Sequence, residues 1–219
     1  MKALRNGKTI RLRLYFGVSL FFGTIASLAP ALAGCGATRP IQYYALDAPA
    51  VRGPAGSSAK PMPVTLIVGH ITASHLYRED KLVYRTGSNE LRTYEYHRWS
   101  EPPTEIIENM LLGQLRGSGR YQAVQLQRSN VRGDFVLRGR LEEMVELTAP
   151  QEGARAGLEM ELFDAKKGSS VWAHSYREEE AVQGKGVDAV VSALNRAVLR
   201  IVRRVSADLD GHFAERPPQ

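Results

Sequence analysis

The chain has a single cysteine, Cys35, among its 219 residues. One thiol cannot close an intramolecular disulfide or supply a multi-cysteine zinc or iron–sulfur site. There is no Gly-x-Ser-x-Gly elbow, no Walker A loop and no His-Glu-x-x-His pair. The common signatures of serine hydrolases, nucleotide-driven motors and zinc peptidases are therefore missing. The apolar run from Leu14 to Ala29 covers roughly 16 residues, short of the ~20 that a permanent membrane-spanning helix needs. No internal repeat is present, which excludes a solenoid or propeller. What is there is ordinary: 43% hydrophobic and 24% charged residues, the proportions of a folded globular domain rather than a disordered or collagen-like chain.

The formal charge of +6 suggests a nucleic-acid partner until its location is considered. Lys2, Arg5, Lys8, Arg11 and Arg13 open the chain with no acid among them. The apolar run follows, Pro30 breaks it, and Leu32-Ala33-Gly34-Cys35 comes next. A basic start, a short apolar core and small residues at a cut point make an export signal. Leu-Ala-Gly-Cys resembles the lipobox of bacterial lipoproteins. That resemblance implies cleavage between Gly34 and Cys35 and acyl chains, palmitate among them, on Cys35. The other reading is a free structural Cys behind an ordinary Ala31-x-Ala33 cleavage site. Five of the 29 basic residues and none of the 23 acidic ones precede Cys35, leaving 24 against 23, a formal +1. The apparent basicity is an export address, and no nucleic-acid partner is expected. Gly36, where Asp would resemble an inner-membrane retention signal, leans toward an outer-membrane lipoprotein facing the periplasm of a Gram-negative cell.

The expected organisation is a cleaved signal at 1–34, a lipid-anchored segment with a Pro/Gly-rich loop at 35–63, a folded domain at 64–212 and a flexible tail at 213–219. Residues 41–46 read as a short aromatic strand, and 47–63, with Pro49, Pro54, Pro61 and Pro63, as a loop or tether. Val64 to Val68 is apolar on both faces, the mark of a buried central strand. Segments 82–86 and 90–96 meet at Thr86-Gly87-Ser88-Asn89 and predict a hairpin. Ser100-Glu101-Pro102-Pro103 opens a helix, with Ser as cap, whose Ile107, Leu111 and Leu115 recur at i, i+4 until Gly117-Ser118-Gly119 stops it. Residues 121–127 form a strand. Stretches 134–147, 156–162 and 171–178 alternate apolar and charged residues, and predict an antiparallel meander with one solvated face. Val187 through Leu209 carries one apolar stripe at helical spacing. The fold class is α+β, two layers, a mostly antiparallel sheet with two amphipathic helices on one face.

Few residues invite a chemical role. His70 and His75 are five apart, but no carboxylate completes a metal site, and surface or hydrogen-bonded histidines are the simpler reading. Glu178-Glu179-Glu180 reads as the charged end of an exposed strand. Arg196, Arg200, Arg203 and Arg204 line one side of the last helix, either as a solvated face or as a contact for anionic lipid or an acidic partner. Tyr77, Tyr84, Tyr94, Tyr96 and Trp99 are interleaved with Arg78, Arg85, Arg92 and Arg98. That composition suits a protein interface, or a sheet surface with Trp99 anchoring the next helix. No cofactor and no enzymatic centre are expected.

The same stretch resembles the ABC-type transport auxiliary lipoprotein family. The likeness rests on Leu76 through Arg85, then Asn89-Glu90-Leu91, then Tyr96-His97-Arg98-Trp99-Ser100-Glu101-Pro102. Tyr43-Tyr44-Ala45-Leu46 and the lipobox supply the family's other marks, and Ser100 stands where Ala is commoner. The likeness runs over roughly residues 35–205. It implies a lipoprotein, not itself the ATPase, that works with an ABC permease, its ATPase and a mammalian-cell-entry (MCE) protein. It further implies transport of phospholipid or other hydrophobic cargo across the envelope. Tyr84, Arg85, Asn89, Trp99 and Glu101 are then the expected partner contacts, and homo-oligomerisation stays open. The alternative is a lipoprotein that itself holds lipid or glycan in a cleft between sheet and helices, or assists outer-membrane or cell-wall assembly.

Replacing the one thiol separates these readings of the N-terminus. The Cys35→Ala chain is expected to lose palmitate labelling and to leave the membrane fraction. Full membrane retention of that variant would show that Cys35 is not the anchor.

Overall fold

The computed structural model describes residues 39–47, 61–87, 89–127, 132–148 and 152–216. Gly34 and Cys35, and most of the Pro/Gly-rich stretch, lie outside them. The elements run β1 (Gln42–Tyr44), β2 (Met62–Ala73), α1 (His75–Arg78), β3 (Lys81–Thr86), β4 (Glu90–Trp99), α2 (Pro103–Ser118), β5 (Tyr121–Leu126), β6 (Phe135–Leu147), β7 (Gly153–Asp164), β8 (Ser169–Ala181) and α3 (Val187–Glu215).

The eight strands make one mixed sheet organised about β6. One edge of β6 is shared: Phe135 to Leu141 runs parallel to β2, and Val145 to Leu147 runs parallel to β3. Thus β2, α1 and β3 form one line along β6, with α1 as the interruption. The other edge pairs antiparallel with β7, which pairs antiparallel with β8. These two ladders are the longest, so the sheet is mostly antiparallel, as the alternating pattern predicts. Outside β2 lies β5, parallel to it, and outside β3 lies β4, antiparallel. The predicted hairpin forms, with Gly87 at φ 68° in its turn.

The helices cover one face: α2 lies on β2 and β5, α3 on β7 and β8, and they touch each other. Ile107, Leu111 and Leu115 of α2 and Val198, Ile201 and Val205 of α3 are buried against Leu66, Leu141, Leu158 and Leu162 of the sheet. These side chains fill the layer between sheet and helices. Helix α2 stops where Gly119 turns left-handed at φ 63° and its N–H donates to Arg116 O. Gly133 must be bare for a different reason: a Cβ there would meet Ile67 and the carbonyl of Thr65.

Several boundaries differ from the sequence expectation. Ser100 does not cap α2. Pro102 occupies that position without a side-chain bond, and the Ser100 N–H donates to Tyr44 O at 2.7 Å. The tail does not begin at 213: α3 continues to Glu215, and Phe213, 2% exposed, packs edge-on against Tyr121 and Phe135. Most consequentially, β1 pairs parallel with the end of β4, Gln42 opposite His97 and Tyr44 opposite Trp99. The Pro/Gly-rich stretch therefore joins two strands of one sheet and does not precede the folded domain.

The β7–β8 turn is held by Asp164. Its Oδ1 accepts the N–H groups of Lys166 and Lys167 at 2.9 and 3.0 Å. The Lys167 backbone donor, with the Lys167 ammonium and the Lys166 N–H behind it, holds the carboxyl below its usual range. A depressed folded value means the stabilisation is complete above the unfolded carboxylate range and is lost as pH falls through the folded value. Asp164→Ala should cost about 1–2 kcal/mol near neutral pH and less in acid. Urea midpoints at the two pH values check this, and an equal loss at both would contradict it.

Candidate functional site

The expected partner contacts fall at two ends of β4. Near the hairpin tip, Tyr84 is half-buried against Tyr94, with ring centroids 5.0 Å apart, and Asn89 is exposed beside the turn. The aromatic row continues from Tyr94 to His97 at 5.3 Å and from His97 to Tyr44 at 5.7 Å. Tyr94 Oη donates to Glu146 Oε2 at 2.6 Å, and Tyr44 Oη lies 2.9 Å from His97 Nδ1. Burial, then the Glu146 bond, pushes the Tyr94 hydroxyl far above its ordinary range, so it stays a neutral donor. This row stitches β1, β4, β3 and β6 together side by side.

Arg85 points inward. Its Nη2 lies 3.5 Å from Oε2 of Glu143, a buried carboxylate that also faces Arg177 Nε at 3.2 Å and Arg155 Nη1 at 3.8 Å. Glu143 sits where β6 slips one residue against β7, between Leu141 and Glu143. Such a bulge re-aims a side chain, and Gly157 opposite leaves room for the Glu143 stem. At the far end of β4, Trp99 is 2% exposed and its backbone N–H donates to Asp80 O at 2.6 Å. It anchors the core and offers no surface to a partner. Glu101 is exposed and accepts from Asn109 Nδ2 at 3.3 Å. Of the five, Asn89 and Glu101 are exposed and Tyr84 is half-buried, while Arg85 and Trp99 hold the frame.

The arginine side of α3 is largely engaged. Arg196 Nε meets Glu180 Oε2 at 3.2 Å, Arg200 bridges Glu178 and Glu180, and Arg204 Nη1 meets Glu178 Oε1 at 2.6 Å. The match is periodic: alternate strand residues are about 6.7 Å apart and every fourth helical residue about 6 Å apart, so the two rows interleave. Arg204 also lies over the Tyr176 ring, whose hydroxyl donates to Asp208 Oδ2 at 2.7 Å. The Glu178–Glu180 run does lie at the charged end of edge strand β8, and its carboxylates are engaged as well. Glu178 and Glu180 clamp α3, and Glu179 pairs with Arg155 on the other face. Arg203 is exposed. Periodicity in the sequence reveals both rows but not their pairing.

The histidines separate. His70 Nδ1 is 3.6 Å from Glu108 Oε1, and His75 pairs with Glu79 at 3.4 Å. Buried Glu108 has a structural task the sequence does not announce. Pairing of β2 with β6 shifts between Val68 and Ile71, and Glu108 accepts the Ile71 N–H at 2.9 Å. Among the described residues no group of three His, Cys, Asp or Glu is placed to hold a metal ion. None of their helices is long and apolar enough to cross a membrane.

An eight-stranded mixed sheet backed by two substantial helices defines a small α+β domain. A family model, the ABC-type transport auxiliary lipoprotein component, matches residues 44–206, and the chain belongs to that family. Protein XCC0632 from Xanthomonas campestris shares the fold, at TM-score 0.71 and 19% identity over 80% of this chain and 97% of that one. An uncharacterized protein is similar at TM-score 0.61 and 15% identity, over 78% and 99% of the two chains. No curated protein matches the chain.

The clamp predicts modest, coupled effects. Exposed ion pairs contribute about 0.2–1 kcal/mol each, so Arg204→Ala and Glu178→Ala should each destabilise slightly. A double-mutant cycle in urea should return a coupling in that range. Strict additivity of the two losses would show that they do not interact in solution.

Proposed function

We propose that the chain is a lipid-anchored, non-enzymatic docking subunit of an MCE-linked ABC transport system. The observation that carries this reading is the family match over residues 44–206, joined to a lone cysteine at the end of an export signal. The leader at 1–34 directs export, and acylated Cys35 holds the chain to the outer membrane on its periplasmic side. The cargo is phospholipid or another hydrophobic molecule moving between the membranes. The transporter's permease and ATPase supply the energy, and the MCE-type protein supplies the path. The part left to this chain is to fix that machinery at a membrane.

The hairpin end of β3 and β4, with exposed Asn89 and half-buried Tyr84, is the contact this reading assigns to the transporter. Its aromatic row and the Arg85–Glu143 pair stiffen the hairpin, which lowers the entropy lost on docking. A photo-crosslinking residue placed at Asn89 in the lipidated full chain tests this in membranes. The expected product contains the permease or the MCE-type protein. A chain that stays membrane-bound, yields no such product and co-purifies with no transporter component would overturn the reading.

A further inference from the structure

The large hydrophobic side chains exposed among the described residues are Ile41 at 44%, Tyr43 at 63% and Leu91 at 38%. Two of them belong to β1 and its approach. Strand alternation puts Ile41 and Tyr43 on one face, while Tyr44, on the other, faces inward against His97. β1 is also a terminal strand of the sheet, with β4 as its neighbour in the strand order.

Covalent distance decides what meets this edge. Seven peptide units separate Cys35 from Gln42, and a fully extended chain of that length reaches at most about 25 Å. The Pro/Gly-rich stretch adds nothing to that reach, because it comes after β1. If Cys35 carries acyl chains, β1 is held at the membrane surface whatever else the domain does. Tethering then supplies a high effective concentration, so two side chains suffice where a free protein would need a larger patch. Tyr is enriched at the level of the headgroups, and Ile is favoured just below it.

We propose that the β1 edge, through Ile41 and Tyr43, lies in the headgroup region of the phospholipid bilayer that carries the acyl chains of Cys35. The proposal rests on lipidation of Cys35. It makes the anchor a two-point contact, in which the acyl chains hold the chain and β1 orients the domain. The hairpin turn, at the other end of β4 from the residues that β1 pairs with, is then the end left for a protein partner.

The test uses the lipidated full chain in phosphatidylethanolamine–phosphatidylglycerol vesicles with chain-brominated lipid. Two single variants, Tyr43→Trp and Gln122→Trp, are compared with the parent, whose Trp99 and Trp172 are common to all three. Gln122 is exposed on β5, at a different edge. The added fluorescence of Tyr43→Trp should be blue-shifted on the vesicles and quenched at least about twofold more than that of Gln122→Trp. A chain that floats with the vesicles while both positions are quenched alike would overturn the docking and leave the anchor standing. A chain with intact Cys35 that does not float would overturn the anchor and the docking with it.

Discussion

The sheet depends on one strand. β6 spans Phe135 to Leu147 and is the one described strand that pairs with three others, β2, β3 and β7. Its shared edge holds β2 and β3 end to end, so the one-turn helix α1 between them has to fit where β6 carries its bulge. The bulge turns Glu143 toward Arg85, Arg155 and Arg177. A one-residue slip would exchange the faces of the strand, expose Leu137 and Leu141, and bury Arg138 and Arg140. The β7–β8 hairpin and α3 are built out from the same strand, so the register of β6 sets the position of the whole helical layer.

Charge is used in this fold mainly to join elements. Glu108 accepts a backbone N–H that a bulge in β2 leaves over. Glu178 and Glu180 tie the outermost strand to the longest helix, and Asp164 closes the β7–β8 turn. A polar rim that satisfies its own partners resists nonspecific association. The exposed large hydrophobic side chains among the described residues lie at the two ends of β4: Leu91 at the hairpin end, Ile41 and Tyr43 at the β1 edge. The proposed function, which rests on the family match, uses that separation. One end of β4 pairs with β1, which follows Cys35 by seven residues, and the other end carries the turn proposed to meet a protein.

Much of this fold is legible in the sequence itself. The stripe of α3, the stop at Gly119, the hairpin at Gly87 and the antiparallel meander are local patterns, and local patterns encode which face is buried. Partnership is not local. The pairing of Gln42 with His97 joins residues far apart in sequence, and nothing in the short aromatic segment says which strand it joins. The link between Glu178 and Arg204 requires knowing that β8 folds back under α3. Trp99 illustrates the same limit for the candidate site: its composition suits an interface, but burial is a property of the assembled core. Asn89 is placed by turn chemistry alone, and the fold leaves it exposed. Cys35 is the reverse case, because its meaning comes from the sequence order around it and the described residues add nothing to it.

That the chain bridges a membrane and a transporter with opposite ends of one domain is open to direct observation. Cryo-electron microscopy of the transporter, extracted with surrounding lipid and with this chain bound, tests it most directly. The expected density places the β1 edge at the bilayer surface and the turn from Thr86 to Glu90 against a transporter subunit. A complex in which β1 faces away from the bilayer, or in which the domain meets the transporter through β5 with the hairpin free, would contradict it.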